Sequence, residues 1–195
     1  YFYEKAVRAG RMSLGEEFIR ENAEHFWMDI DTRPYMRALR GYADTLRETG
    51  VRDRAIGIYW ELLRLNPEDN QGNRYALSAC LLEDGRDDEM RLMMARYGDE
   101  RTCFVCYDKA LWTFRFTGGA NERSNEMLKE ALATNEYVPT YLLEEKFIPW
   151  EKPKYYGWGD EAEAIIYASN SGRAWMQTAG ALEWLKEMSA TGDSV

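Results

Sequence analysis

Leu39-Arg40-Gly41-Tyr42-Ala43-Asp44-Thr45-Leu46, followed by Ala55-Ile56-Gly57-Ile58-Tyr59 and then Asn66-Pro67-Glu68-Asp69, is the stretch whose reading decides the fold. Leu39, Tyr42, Ala43 and Leu46 fall at i, i+3, i+4 and i+7, which puts all four on one helical face. The spacing predicts a helix over about 35–48, a turn at Thr49-Gly50 and a second helix over about 52–65, closed by Pro67. Ala43 and Ala55 stand where the two helices cross most closely, so small side chains are expected there. Such a pair cannot bury its apolar face alone and must stack on like neighbours.

One period further on, Leu77-Ser78-x2-Leu81 echoes the stripe, and Gly85 stands thirty-five residues after Gly50. Met90-x3-Met94 replaces the Ala-x3-aromatic element and no proline closes this unit. A third pair is predicted over about 102–117 and 121–134, its register slipping by one or two residues around Ala110. Upstream, helices are expected over about 1–10 and 16–27, separated by Gly10-Arg11-Met12-Ser13-Leu14-Gly15, with Thr32-Arg33-Pro34 opening the next. After Asn135 the period breaks. A short helix over 137–144 leads into an irregular stretch from Ile148 to Gly159, too apolar in its aromatics to be a free linker. Asp160 with Glu163 three residues later has the form of an N-terminal cap for a last pair over about 160–170 and 172–188. The expected fold is all-α, with antiparallel helix pairs in a right-handed superhelical solenoid. It is expected to form one domain over 1–195, with the best repeat at 36–69, worn repeats at 71–102 and 103–136, and an atypical unit at 137–189.

The offsets from Leu39 to Pro67 resemble those of the tetratricopeptide repeat, whose period is about 34 residues. Non-periodic landmarks add to the resemblance: Asn66-Pro67-Glu68-Asp69-Asn70-Gln71-Gly72, Val138-Pro139-Thr140-Tyr141-Leu142-Leu143-Glu144, Gly159-Asp160-Glu161-Ala162-Glu163-Ala164-Ile165-Ile166-Tyr167-Ala168 and Gly180-Ala181-Leu182-Glu183-Trp184-Leu185. With these the protein resembles a group of bacterial tetratricopeptide proteins and, more loosely, the suppressor of tumorigenicity seven family. The resemblance implies an interaction domain that binds proteins, with no catalytic residues to carry over.

Composition narrows the partners. A formal net charge of -9 and a pI of about 4.8 repel phosphate backbones, so no nucleic-acid partner is expected. No run approaches the ~20 consecutive apolar residues of a membrane helix, so neither a spanning segment nor a membrane partner is expected. Cys80, Cys103 and Cys106 are an odd, sparse set, unlike a disulfide framework, and point to a reducing, cytoplasmic setting. The sequence opens at Tyr1 without a methionine and is helix-like at once, which suggests a piece of a longer protein.

In a concave groove lined by first helices, the contacts come from the side of the helix away from its core stripe. For the best repeat these are Arg37, Arg40, Asp44 and Arg47, at i, i+3, i+7 and i+10. Arginine forks hold carboxylates bidentately, so an acidic peptide or the terminal carboxylate of a partner fits there. Equally, Asp44 pairing with Arg40 and Arg47 on a solvated face would contribute only ~0.2 to 0.5 kcal/mol per pair. Asn73, Arg74 and Tyr75 open the next helix and extend the same wall. Tyr75 is an aromatic contact for a ligand or a packing residue between repeats.

Other motifs are read more plainly. Cys103-x2-Cys106 is half of a zinc knuckle without the other half, since structural zinc takes four ligands; both sulfurs are expected on one helix face toward the core. His25 is the only imidazole and is expected to pack beside Phe26 and Trp27. The carboxylates Glu83-Asp84 and Asp87-Asp88-Glu89 lack the order of a calcium loop, and Gly157-Trp158-Gly159-Asp160 lacks that of a phosphate loop. No metal, cofactor or catalytic residue is expected. The expected function is a non-enzymatic scaffold or adaptor binding a protein or peptide segment. The alternatives are a substrate-positioning domain of a larger enzyme and a homodimerisation module built on the Trp150–Trp158 insertion.

Overall fold

The computed structural model of the protein describes residues 2–192, the last two by their backbone alone. Tyr1, placed by sequence in the first helix, lies outside the described residues. Among the described residues eleven α-helices and one 3-10 turn form the fold, with no strand. They are α1 (Phe2–Leu14), α2 (Glu16–Glu21), a 3-10 turn (Ile30–Thr32), α3 (Arg33–Glu48), α4 (Arg52–Leu65), α5 (Asn73–Glu83), α6 (Asp87–Tyr97), α7 (Cys103–Phe116), α8 (Glu122–Thr134), α9 (Val138–Leu142), α10 (Glu161–Gln177) and α11 (Ala181–Gly192). Two compact units divide the protein, Tyr1–Cys80 and Leu81–Val195, the division falling inside α5. No helix among the described residues is long and apolar enough to cross a membrane.

In the first unit α3 packs on α4 and α1. Leu39, Tyr42, Ala43 and Leu46 are all buried, as are Ala55 and Tyr59 of α4. The helix-pair turn has a definite chemistry. Gly50, at φ 80°, donates its N–H to the Arg47 carbonyl (3.1 Å), while Val51 donates to that of Leu46 (2.8 Å). This is a Schellman closure, which satisfies the orphan carbonyls of a helix end and asks for glycine at the left-handed position. The same pair of bonds recurs at Gly85 (to Leu82, with Arg86 to Leu81) and at Gly118 (to Arg115, with Gly119 to Phe114).

Three helix bounds depart from the sequence expectation. Gly10 does not end the first helix, because α1 lies against α3 and a side chain at Gly10 would meet the Tyr35 ring at 2.7 Å. The break falls instead at Gly15, where φ is 82°. Predicted to run to Trp27, the second helix stops at Glu21, and residues 22–29 form turns. Likewise α10 runs unbroken through Ser171 and Gly172 to Gln177, with the break at Thr178-Ala179-Gly180. An interior glycine destabilises a helix by only ~1 kcal/mol, which packing overrides.

In the second unit α7 packs on α8, α6 and α10, and α10 packs on α9 and α11. Its core is aromatic. Trp175 is fully buried between the Tyr107 ring (6.3 Å, edge-on) and Trp184 (6.1 Å, stacked), and Phe114 stacks on Trp184 at 4.6 Å. Asn121 starts α8 through a capping box with Ser124, and Asp160 caps α10 through the Glu163 N–H, as the sequence predicted for the latter.

Burial fixes the protonation of several side chains. Desolvation first, with the neighbouring Asp44 next, pushes the Tyr59 phenol above its ordinary 10.0. Desolvation does the same to Tyr107 and Tyr167, and desolvation with Glu163 beside it lifts the Cys103 thiol above 9.0. The fold thus favours the protonated forms, so the stability they contribute is complete below the unfolded values and is lost as pH rises beyond them. Unfolding free energy is therefore expected to decline from about pH 9 upward, by up to ~1.4 kcal/mol per pH unit for each titrating group. Thermal midpoints from pH 7 to pH 11 measure this, and a flat profile would contradict the burial.

Candidate functional site

The first candidate grows from the connection between α4 and α5. Asp69 sits in it with φ at 48°, a left-handed conformation that Asp tolerates better than most residues. Its carboxylate is aimed at the start of α5, where helix N–H groups have no intrahelical partner and the dipole favours negative charge. One oxygen accepts from the Asn73 N–H (2.8 Å) and side-chain amide (3.0 Å), the other from the Arg74 N–H (2.9 Å) and guanidinium (2.9 Å). The Asp69 side chain is fully buried. Arg74 also donates to the Tyr75 hydroxyl (2.7 Å) and lies over its ring at 4.3 Å.

Arg40 joins α3 to this connection. Its Nε donates to both Asp44 oxygens at 2.9 Å, and its Nη1 to the Asn73 side-chain oxygen (3.0 Å) and the Gln71 carbonyl (3.2 Å). Tyr59 of α4 donates its hydroxyl to Asp44 at 2.7 Å and places its ring 5.6 Å from the Arg40 guanidinium. The structure therefore brings together Arg40, Asp44, Asn73, Arg74 and Tyr75 of the seven candidate residues. Arg37 lies outside the cluster, exposed and with no hydrogen bond or ion pair among the described residues, and Arg47 is half-buried one turn beyond Asp44. Asp69 and Tyr59 organise the cluster, and neither is among the sequence candidates. Asp69 reads locally as turn punctuation, although an acid four residues before a predicted helix start is the signal that could have singled it out.

The second candidate lies in the second unit, in the segment from Glu144 to Gly159. Both of its ends are held. At the start, Glu145 donates to the Thr140 carbonyl (3.0 Å) and Glu144 to that of Tyr141 (3.4 Å), closing α9. Lys146 and the Tyr141 hydroxyl both donate to one oxygen of Glu161 at 2.7 and 2.9 Å, holding its carboxyl below the ordinary 4.5. At the far end, the buried Glu163 accepts from the Gly159 N–H (2.8 Å) and the Asn135 amide (3.0 Å), and that same amide bonds the Asp160 carbonyl (2.9 Å). The middle of the segment stands out in solvent. Phe147 is 93% exposed, Trp150 101%, Tyr155 88% and Trp158 83%, while Tyr156 rests against Phe104 at 5.7 Å.

Beside this segment is a cavity of about 420 Å³, lined by side chains of α9, residues 144–148 and α10. A more polar cavity of about 580 Å³ surrounds Arg115, whose guanidinium is already bonded to the Leu82 carbonyl (2.7 Å) and paired with Asp87 (3.2 Å). Cys103 is buried and Cys106 half-buried, both outside any disulfide and on one helix, α7, as their spacing predicted. His25 is exposed, against the expectation that it packs, because the turn after α2 sends only Phe26 into the core. Among the described residues no group of three or more His, Cys, Asp or Glu side chains is placed to hold a metal ion. The protein matches no family model, and neither a curated protein nor a solved structure is significantly similar to it.

Proposed function

We propose that the protein is a helical-repeat adaptor of the tetratricopeptide kind, without catalysis of its own, and that it recognises a protein partner through the aromatic segment Phe147–Trp158. The repeat part of this reading is supported by the Schellman closures at Gly50, Gly85 and Gly118, which recur at intervals close to the ~34-residue period. One observation carries the recognition part: Phe147, Trp150, Tyr155 and Trp158 each expose more than four-fifths of their surface within a segment bonded at both ends. Solvent-exposed aromatic side chains give up water at a large gain when covered, and a held segment loses little entropy on binding. The Arg40–Asp44–Asn73 cluster is the lesser surface, since its polar atoms already serve one another. The odd, sparse set of three cysteines is the ground for proposing a reducing, cytoplasmic setting.

The test is cross-linking capture with the parent protein, a Trp150→Ala/Trp158→Ala pair and an Arg40→Glu variant. Loss of capture at least tenfold is expected for the tryptophan pair only. Capture unchanged by the pair, and lost on Arg40→Glu, would return the function to the arginine stripe. Two further measurements use the same pair. Concentration-dependent dimers that it abolishes would make the partner a second copy, and lipid vesicle binding that it abolishes would make it a membrane surface.

A further inference from the structure

Two backbone preferences are inverted at the 420 Å³ cavity. Glu144 lines it in the left-handed conformation, φ 57°, at the C-terminal closure of α9. Gly50, Gly85 and Gly118 fill the equivalent position of the other closures, and glycine carries no Cβ penalty there. Gly172 also lines the cavity, in the interior of α10, where alanine is the better helix former. Packing does not exclude alanine at this position, because a Cβ at Gly172 would sit 3.6 Å from Leu142, an ordinary contact. A glutamate stands where glycine would relax the backbone, and a glycine where alanine would strengthen it. Local rules broken without a packing reason mark places kept for something else.

The chemistry of the lining says what that is. Leu142 and Ala168 form a buried apolar part, and Phe147, Ile148 and Met176 an exposed one, with Met suited to adapting to a guest. Of the two cations that line the cavity, Lys146 is bonded to Glu161, whereas Arg173 is exposed with no hydrogen bond or ion pair among the described residues. Glu144 is likewise exposed without a side-chain partner among them. An unpaired guanidinium and an unpaired carboxylate beside an apolar cavity complement a guest that brings a carboxylate, N–H donors and an apolar group together.

We infer that this cavity binds a peptide segment of a protein partner, taking up one apolar side chain while Arg173 pairs with an adjacent Asp or Glu and Glu144 accepts from the peptide's N–H groups. A fatty acyl group would leave Glu144 unmatched. The assignment rests on the protein-recognition proposal above and places its anchor beside the aromatic segment.

Panning a phage-displayed random 12-residue peptide library on the protein tests it, followed by fluorescence anisotropy of the enriched peptides on variants. Enriched peptides are expected to share an apolar residue within two positions of Asp or Glu. Their Kd is expected to rise at least tenfold on Arg173→Glu. On Gly172→Ala the Kd is expected to rise at least threefold while the thermal midpoint rises, a combination that damage to the fold would not produce. No enrichment, or enriched peptides whose Kd is unmoved by both variants, overturns the inference. If their binding is lost with Trp150→Ala/Trp158→Ala alone, the cavity assignment falls and the recognition proposal stands.

Discussion

Asp69→Ala is expected to lower the unfolding free energy by ~3 to 5 kcal/mol, the range for removing one partner of a buried, hydrogen-bonded charge pair. The loss has two parts. Removing the carboxylate leaves the Asn73 and Arg74 N–H groups at the start of α5 without an acceptor, and leaves the mostly buried Arg74 guanidinium without its counter-charge. Alanine also lacks the local side-chain hydrogen bonding by which Asp tolerates the left-handed conformation, a smaller backbone loss. Asp69→Gly separates the two, because it relieves the backbone part and keeps the loss of the carboxylate. Asp69→Asn is expected to lie between Asp69→Ala and the parent, since its one oxygen serves only one side of the pair. Urea denaturation at constant m-value is the measurement. A midpoint for Asp69→Ala equal to that of the parent would show that the cluster contributes nothing.

Trp175→Ala is expected to have an effect of the same size in the second unit, ~3 to 5 kcal/mol, by the cavity left where a fully buried indole packs. Its ring is held between Tyr107 and Trp184, and its N–H donates to the Tyr167 hydroxyl at 2.8 Å, which in turn donates to the buried Asp108 at 3.0 Å. Trp175→Phe keeps most of the apolar volume and deletes the N–H. A loss of ~1 to 3 kcal/mol is expected for it, the cost of leaving a buried acceptor unmatched. The difference between the two variants apportions packing and hydrogen bonding. Near-equal losses would mean that the N–H bond dominates and that the ring's area matters little.

Much of the fold is legible in the residues themselves. The stripe Leu39, Tyr42, Ala43 and Leu46 is buried, α4 spans Arg52–Leu65 as predicted, and α5 begins at Asn73. These are local signals, carried by periodicity and turn chemistry within one helix. What failed was non-local. Gly10 and Gly172 read as breaks because a sequence does not show that Tyr35 covers one or that α10 continues through the other. The spacing of the arginine stripe says nothing of its partners. Arg40 reaches Gln71 and Asn73, thirty-one and thirty-three residues away, and no spacing along α3 announces that. Hydropathy indicated that the aromatic insertion is no free linker, but apolar content alone does not distinguish a segment that packs throughout from one held at its ends with its middle in water.

The exposure of Phe147, Trp150, Tyr155 and Trp158 has a calorimetric consequence. Aromatic side chains of this kind bury about 150 to 250 Å² each, and each Å² of apolar surface removed from water lowers the heat capacity by about 0.45 cal/mol/K. Covering all four predicts a binding heat-capacity change of about -0.27 to -0.45 kcal/mol/K. A partner held by salt links to the arginines of α3 would bury mainly polar surface, whose contribution carries the opposite sign. Titrations at three temperatures therefore distinguish the two surfaces by the slope of the binding enthalpy, whatever the affinity.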